Sequence, residues 1–494
     1  MIAIDRQSTT PLSDQIEQRL RQLVQGGLLP AASRLPSIRQ LAGQLAVSPN
    51  TVVLAYDRLM ALGLIESRGT AGYFVRAQQP PHDGDASVLE AGDMQDGVWL
   101  AQQANDLRPG MLLASSGVLP PAWLADAIPA TTVQRALARS PAGMASRCPP
   151  QGLLELREHI ASLLRDTGVP VDAGRIMTTY GATHSIDLIC RTFAQAGDAV
   201  LVEDPGYFLM LERLRQQGLR PIPIRRTPDG LDVEQLQAAC IEHRPRLLFV
   251  QTALHNPTGW SSSAANLHQL LVLARQHQLL LAEDDVHGHF YAGHTPRLAS
   301  LAGLEGVIYY SSFCKALSPS VRLGYLAAEP ALLKALLREK ICSVMTCGAL
   351  NEYVMLEVLA AGRWRKHLAR LQTRIHKARV HSTRLLQEAG IALDHPGAGG
   401  IFLWGRVPDG VDMDVLLQDA YSNHIVLAKG SAFSSSHAFD RHIRFNVAFS
   451  QHPQLSQYLQ ARFALLAQGL RTATNPMRLK PDLLAKPITS ATRP

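Results

Sequence analysis

Six short β-prone runs recur between residues 175 and 327, alternating with helix-length amphipathic segments. That alternation confines this stretch to an α/β fold around a mostly parallel sheet, because parallel neighbours need a crossover long enough to hold a helix. The runs are Arg175–Thr179, Ala199–Val202, Leu247–Val250, Leu279–Ala282, Val307–Tyr310 and Leu323–Ala327. In such sheets ligands gather just beyond the carboxyl ends of the strands. The residues that follow each run therefore carry the functional information.

After the first run comes Tyr180-Gly181-Ala182-Thr183-His184, opening a helical segment. Free N–H groups at a helix start, with a glycine allowing close approach, suit a phosphate. The second run leads to Glu203-Asp204-Pro205-Gly206-Tyr207, a turn able to lay an aromatic ring over a flat ligand. The third leads to His255-Asn256-Pro257-Thr258-Gly259, the fourth to Glu283-Asp284-Asp285, and the fifth to Ser311-Ser312-Phe313-Cys314-Lys315, with Arg322 seven residues on. Lys315 is the first lysine in the chain. An amine at a strand end, beside hydroxyls and a guanidinium, suits a Schiff base to a phosphorylated aldehyde. Taken singly, Lys315 reads equally well as a surface lysine, and Asp284 as a helix cap or surface acid. In order, a phosphate cradle, an amide, an acid and a lysine are the parts that pyridoxal phosphate needs. The acid keeps the ring nitrogen protonated, the amide holds the phenolic oxygen, and the amine takes the aldehyde.

Residues 1–76 have a different grammar. Leu12, Ile16, Leu20 and Val24 recur every four residues and predict a helix closed by Gly26-Gly27. A second helix starts after Pro36 with Ser37 as N-cap. A third, capped by Ser48 with Pro49 at its first position, runs to about Leu62 with Val52, Ala55, Tyr56 and Leu59 inward. Two β-prone runs, Leu64–Ser67 and Tyr73–Val75, flank Arg68-Gly69-Thr70-Ala71-Gly72. Three helices and a hairpin make a winged helix-turn-helix.

The wording Leu35-Pro36-Ser37-Ile38-Arg39-Gln40-Leu41-Ala42, then Val47-Ser48-Pro49-Asn50-Thr51-Val52, then Gly69-Thr70-Ala71-Gly72-Tyr73-Phe74-Val75 resembles the GntR-type winged helix over the whole domain. The resemblance implies double-stranded DNA as a partner. It places contacts at Arg39, at Ser48, Asn50 and Thr51 on the recognition helix, and at Arg68 and Gly72 on the wing. Pro49 stands where the family often has arginine. The domain is only mildly basic, so two copies on a repeated or palindromic site are expected. A winged helix used for protein contact is the competing reading.

Residues 77–109 carry Pro80-Pro81, several glycines and several acids and read as a flexible connector, with room for one short helix near Val98–Ala104. Residues 471–494 are Pro-rich and basic and are expected to be disordered. No apolar run approaches the roughly 20 residues of a membrane span, and the N-terminus lacks a signal-peptide layout. The six cysteines have neither paired nor metal-ligand spacing, so reduced thiols in a cytoplasm and no metal are expected. The formal charge of +7 permits an anionic partner.

Residues 110–470 resemble a fold-type I aminotransferase of class I/II: Gly152–Arg157, Asn256-Pro257-Thr258-Gly259 and the Lys315–Arg322 stretch are its marks. Joined to a GntR-type winged helix, the chain is similar to MocR-type transcription regulators across nearly its whole length. The resemblance implies a multidomain protein: an α+β winged helix, then an α/β fold-type I domain with a small α/β subdomain mainly at 390–470. It implies that Lys315 takes the aldehyde as an aldimine, Asp284 pairs with the pyridine nitrogen and Asn256 contacts the ring oxygen. Tyr207 would stack, and Gly181, Ala182, Thr183, Ser312 and Arg322 would hold the phosphate. Arg444 would clamp a substrate or effector carboxylate, its alternative being a surface salt bridge. Val286 occupies the place expected for a ring-oxygen tyrosine, with His287 as a possible substitute; Arg147 replaces another tyrosine and Ser320 a glycine.

The expected function is a homodimeric, pyridoxal-phosphate-dependent regulator that binds DNA and senses a small amine, an amino acid or the cofactor itself. An active aminotransferase with an accessory domain is the alternative. DNA binding with a purely structural second domain is the third reading.

Overall fold

The computed structural model describes residues 4–6, 11–25, 29–30, 32–61, 63–76, 97–105, 110–139, 145–291, 293, 295–395, 397 and 399–467. They fall into two compact units, one on each side of residues 77–96. The expected Gly26-Gly27 helix stop, most of the 77–109 connector and the 471–494 tail lie outside the described residues.

In the first unit, α1 is Leu12–Gln25, α2 Ile38–Leu45 and α3 Pro49–Ala61, with β1 Ile65–Ser67 and β2 Tyr73–Val75 paired antiparallel. Ser37 and Gln40 form a reciprocal cap on α2: Ser37 Oγ accepts the Gln40 N–H at 3.3 Å and Gln40 Oε1 accepts the Ser37 N–H at 3.0 Å. Two N–H groups that the helix cannot satisfy are thereby paired. The turn to α3 passes through Ala46 in the left-handed region at φ 49°. Ser48 Oγ then accepts the Thr51 N–H at 3.1 Å and caps α3. Ile16, Leu20, Leu41, Val52, Ala55 and Leu59 are buried together. Tyr56 joins both layers: its hydroxyl donates to Pro36 O at 2.8 Å and its ring meets Tyr73 edge-on.

The second unit opens with α4, Gly97–Asn105. Its Trp99 and Leu100 are buried, so this end of the expected connector is packed structure. The main sheet contains β3 Ile176–Thr179, β4 Ala199–Asp204, β5 Arg220–Thr227, β6 Gly230–Leu231, β7 Leu247–Val250, β8 Leu280–Asp284, β9 Val307–Ser312 and β10 Gly324–Ala327. Their order across the sheet is β3-β10-β9-β8-β7-β4-β5-β6. Six strands share one direction; β10 runs antiparallel to both neighbours and β6 antiparallel to β5. Strand β5 escapes the sequence pattern because Arg220, Pro223 and Arg225 sit at exposed positions near the sheet edge, while Ile224 and Arg226 alternate inward.

A 26-residue helix, Arg363–Glu388, leads to a second antiparallel sheet of β11 Ala392–Leu393, β12 Phe402–Arg406, β13 Ala428–Lys429 and β14 His442–Asn446, in the order β11-β12-β14-β13. Strand β12 begins at Phe402, after the glycines at 397, 399 and 400. Residues from the start of the unit join this subdomain, as Leu112 N–H donates to His424 O at 2.7 Å and Asn446 N–H to Ala114 O at 2.7 Å. Among the described residues no helix is long and apolar enough to cross a membrane, and no group of His, Cys, Asp and Glu could hold a metal.

Candidate cofactor cleft

The carboxyl ends of β3, β4, β7, β8 and β9 open on one cleft of about 460 Å³. Tyr207, Asn256, Asp284, Ser312 and Lys315 all line it, each supplied by the segment that follows or ends one of these strands. Arg322 reaches the same edge for the opposite reason. Strand β10 is antiparallel, so it begins where its neighbours end, and Arg322 lies two residues before its start. Thr183, Ala182 and His287 also line it, Gly181 does not, and Arg444 enters from β14.

The pleat of β8 selects one acid of three. Successive side chains of a strand point to opposite faces, so Glu283 and Asp285 turn away from the cleft. Glu283 accepts the Leu298 and Ala299 N–H groups at 2.9 and 2.8 Å, and Asp285 pairs with Arg297 at 2.7 Å. Asp284 faces the cleft, accepting the Val286 N–H at 3.0 Å and a hydrogen bond from Gln251. Burial pushes its carboxyl up to about 7. No cation pairs with Asp284 among the described residues, so its environment favours a positively charged ring nitrogen.

Gln251 is the residue that sequence reading missed. Its Oε1 accepts the Asn256 N–H at 2.8 Å and its amide donor faces Asp284, so one side chain positions both. Its backbone is held in turn. The Gln251 N–H donates to Glu203 Oε2 at 2.8 Å and its carbonyl accepts from Arg226 at 3.0 Å. Arg226 and Glu203 form a fully buried ion pair at 2.6 Å, with His255 Nε2 3.4 Å from the same carboxylate. Against its burial, His255 and Arg226 hold the Glu203 carboxyl below its ordinary range. The available signal was position: Gln251 is the first residue after β7.

Arg444 is sandwiched between the rings of Phe402 and Phe433 at 4.7 and 4.6 Å. It donates to Asn256 Oδ1 at 2.7 Å and to Ser115 O at 2.6 Å. Burial pulls it down to about 9, so it stays cationic at neutral pH. With its carbonyl oxygen committed to Arg444, Asn256 keeps its NH₂ for an acceptor in the cleft. Lys315 Nζ donates to Gly117 O at 2.9 Å. A methyl on Gly117 would stand 3.6 Å from Lys315 Nζ and 3.8 Å from Arg444 Nη2. Burial, and after it Arg444, pulls the Lys315 amine down to about 8.

At the other end, Gly181 has φ +75° and opens the helix Gly181–Phe193. A Cβ there would meet Arg322 Nη2, Cys314 Sγ and Ser312 Oγ at 3.5–3.6 Å. A helix N-terminus, a hydroxyl and a guanidinium thus surround one small space, a setting for an anion. His287 packs edge-on against Phe402 at 5.2 Å, and neither ring nitrogen has a hydrogen-bond partner among the described residues. Burial, then Lys315 and Arg444, keeps it well below its ordinary value, so the imidazole is neutral. Val286, in the place expected for tyrosine, is buried beside it. Arg147 contacts Met345 Sδ at 3.2 Å and does not line the cleft. Leu100, Val118, Phe208 and Leu209 form an apolar rim, to which the presumed connector contributes Leu100.

In the first unit, Arg39, Ser48, Pro49 and Asn50 are exposed around the start of α2 and α3. The Ser48 and Thr51 hydroxyls bond each other at 2.7 Å, so both serve the cap. Arg68 pairs with Glu66 at 2.7 Å and covers the Phe74 ring at 4.7 Å. Gly72 has φ +102°, and a side chain there would press on Arg34.

Residues 111–461 match the family model of class I and II aminotransferases, and residues 12–75 that of the bacterial regulatory proteins of the gntR family. The chain is 28% identical over 471 residues to YdcR, an uncharacterised HTH-type transcriptional regulator of Escherichia coli, covering 92% of this chain and 99% of that one. It is 29% identical over 386 residues to the probable rhizopine catabolism regulatory protein MocR of Rhizobium meliloti, covering 75% and 76%. The structure of the α-aminoadipate aminotransferase LysN of Thermus thermophilus, complexed with N-(5'-phosphopyridoxyl)-L-leucine, superposes with a TM-score of 0.67 at 24% identity, covering 76% of this chain and 97% of that one.

Proposed function

The chain belongs to the class I and II aminotransferase family, joined to a gntR-type domain in the MocR arrangement, and from that premise we propose a DNA-binding transcription regulator whose second unit holds pyridoxal phosphate and senses a small amine or amino acid. One observation carries the reading: a cleft with an amine, a buried unpaired carboxylate, a spare amide donor and an anion cradle lies on the same chain as a winged helix.

Bound there, pyridoxal phosphate supplies an aldehyde carbon that combines with amines and a ring that withdraws electrons from them. Lys315 would be the amine presented to this carbon, its lowered pKa leaving more of it in the neutral, nucleophilic form. Asp284 would face the ring nitrogen and hold a proton there. Asn256 would donate to the phenolic oxygen, and neutral His287, with an unused N–H, would stand in for the missing tyrosine. Tyr207 would stack on the ring, and Gly181, Ala182, Thr183, Ser312 and Arg322 would bind the phosphate. An incoming amino acid would compete with Lys315, and its carboxylate would engage Arg444, whose guanidinium is fixed by the flanking rings and its buried partners. Exchange of one amine for another changes the contacts inside the cleft, and this differential contact biases the form that binds DNA. Two copies of the chain act on paired half-sites.

The second reading is a working aminotransferase. It is favoured by the Lys315 amine, which has no carboxylate partner among the described residues and can move a proton. Duplex binding measured with and without the vitamer and a panel of amino acids separates the two. A regulator changes its affinity for DNA on amine exchange without net turnover. Steady keto-acid production with DNA affinity indifferent to amines would overturn the regulator.

A further inference from the structure

We propose that the outward face of the helix Arg363–Glu388 is a second, sequence-independent surface for double-stranded DNA, gripping phosphates of the duplex that flanks the site read by the winged helix. The proposal rests on the DNA-binding reading above.

The helix has eight Lys and Arg against one Glu. Its net +7 equals the formal charge of the whole 494-residue chain, so all other residues together sum to neutrality. The charge is also ordered. At about 100° per residue, Arg363, Lys366, Arg370, Arg374, Lys377 and Arg384 fall within an arc of about 80° and extend over about 32 Å. All but the half-buried Arg363 are exposed. Trp364, Leu371, Ile375 and Leu386 are buried on the opposite side, so packing fixes which way the stripe faces.

Self-organisation does not account for this arrangement. Lys366, Arg370 and Arg374 follow one another at four-residue spacing, where like charges destabilise a helix. A face needed only for solubility mixes its signs. Among the described residues no carboxylate lies within ion-pair distance of Lys366, Arg370, Arg374 or Lys377; the stripe's one pair is Arg384 with Glu388, both exposed. Asp126 is the acid whose charge reaches the neighbouring buried His367. Arg379, on another side, is consumed by the carbonyls of Gly397, Gly400 and Phe402. The stripe is a cationic rail without its counter-ions.

Double-stranded DNA fits because the first unit is electrostatically poor for a DNA reader. Four of its arginines are already spent on carboxylates: Arg21 on Glu17, Arg58 on Asp14, and Arg68 and Arg76 on Glu66. Affinity for duplex comes mainly from phosphate neutralisation, and the helix holds the charge that the winged helix lacks.

The test uses full-length protein loaded with pyridoxal phosphate and short and long mixed-sequence duplexes, with affinity followed between about 50 and about 200 mM salt. Glutamine preserves helix propensity, so K366Q/R370Q/R374Q/K377Q keeps the fold, as checked by circular dichroism and the visible cofactor band. The quadruple variant is expected to bind the long duplex at least about tenfold more weakly and to flatten the plot of log affinity against log salt by about 3.6, at roughly 0.9 per phosphate lost. R370Q/K377Q should show about half that flattening. A quadruple variant with the parent affinity and slope overturns the proposal and assigns the rail to some other anion. If the parent itself fails to bind duplex, the DNA-binding reading falls with it; if R39A weakens binding while the quadruple variant does not, only this inference falls.

Discussion

The two units solve opposite problems with the same residue types. In the winged helix Arg39, Ser48, Asn50 and Arg68 are exposed and Thr51 and Gly72 half-buried, and the core beneath them is mostly apolar; its buried polar members include Ser13, Glu17 and Tyr56, whose hydroxyl reaches Pro36 O. In the aminotransferase-like unit the assigned residues line a buried cleft and rest on further buried charge, from Asp284 through Gln251 to Glu203, Arg226 and His255. A surface reader can wait for its partner because water solvates each side chain meanwhile. A buried site cannot, since every unpaired polar group there is costly. The cleft therefore needs a supporting layer of hydrogen bonds, while the DNA face needs little beyond two well-capped helices. Substitutions at the cleft should be severe and all-or-none, and those at the DNA face graded.

The largest expected effect is Lys315→Ala, which should abolish the absorbance near ~420 nm of cofactor-loaded protein; a persisting band would remove Lys315 from its role. Next is Arg226→Ala, which strands a buried Glu203 and should destabilise the second unit by about 3–5 kcal/mol, measured by denaturant unfolding. A cost below about 1 kcal/mol would mean that the supporting layer is dispensable, and the contrast between the units would fail. The pH dependence follows from the amine. With Lys315 lowered to about 8, the neutral, attacking form is the minor one below that pH. Cofactor loading should speed up by about tenfold per pH unit up to about 8 and then level off, as stopped-flow absorbance would record.

The DNA face gives smaller numbers. Asn50→Ala should lose about 1–3 kcal/mol of discrimination at one base position, whereas Arg39→Ala should weaken binding evenly across sequences; selection from randomised duplexes distinguishes the two patterns. Ser37→Ala removes the cap of α2 and should cost about 1 kcal/mol, read from thermal unfolding of the first unit. If that loss matched the Arg226 effect, the two units would be equally dependent on single polar contacts.

Much of this was legible before folding because it is local. The Ser37 and Ser48 caps, the inward Val52, Ala55, Tyr56 and Leu59, and the strand-end positions of Asn256, Asp284 and Lys315 follow from periodicities of a few residues. Strand β5 was hidden because edge positions accept prolines and arginines that mask a strand. Residues 97–105 looked like connector because their burial depends on surfaces distant in the chain.

By itself, then, the sequence determined two modules, their capped helices and the order of polar groups along the strand ends, since each is set by neighbours within a turn or a strand. Only the tertiary structure decided that Arg322 faces the cleft through an antiparallel strand, that Gln251 ties Asn256 to Asp284, that Arg444 is clasped by rings from Phe402 and Phe433, and that Arg363–Glu388 turns its cations outward. The physical reason is common to all four: strand direction, burial and the choice of exposed face depend on contacts between residues far apart in the chain, which local propensity does not encode.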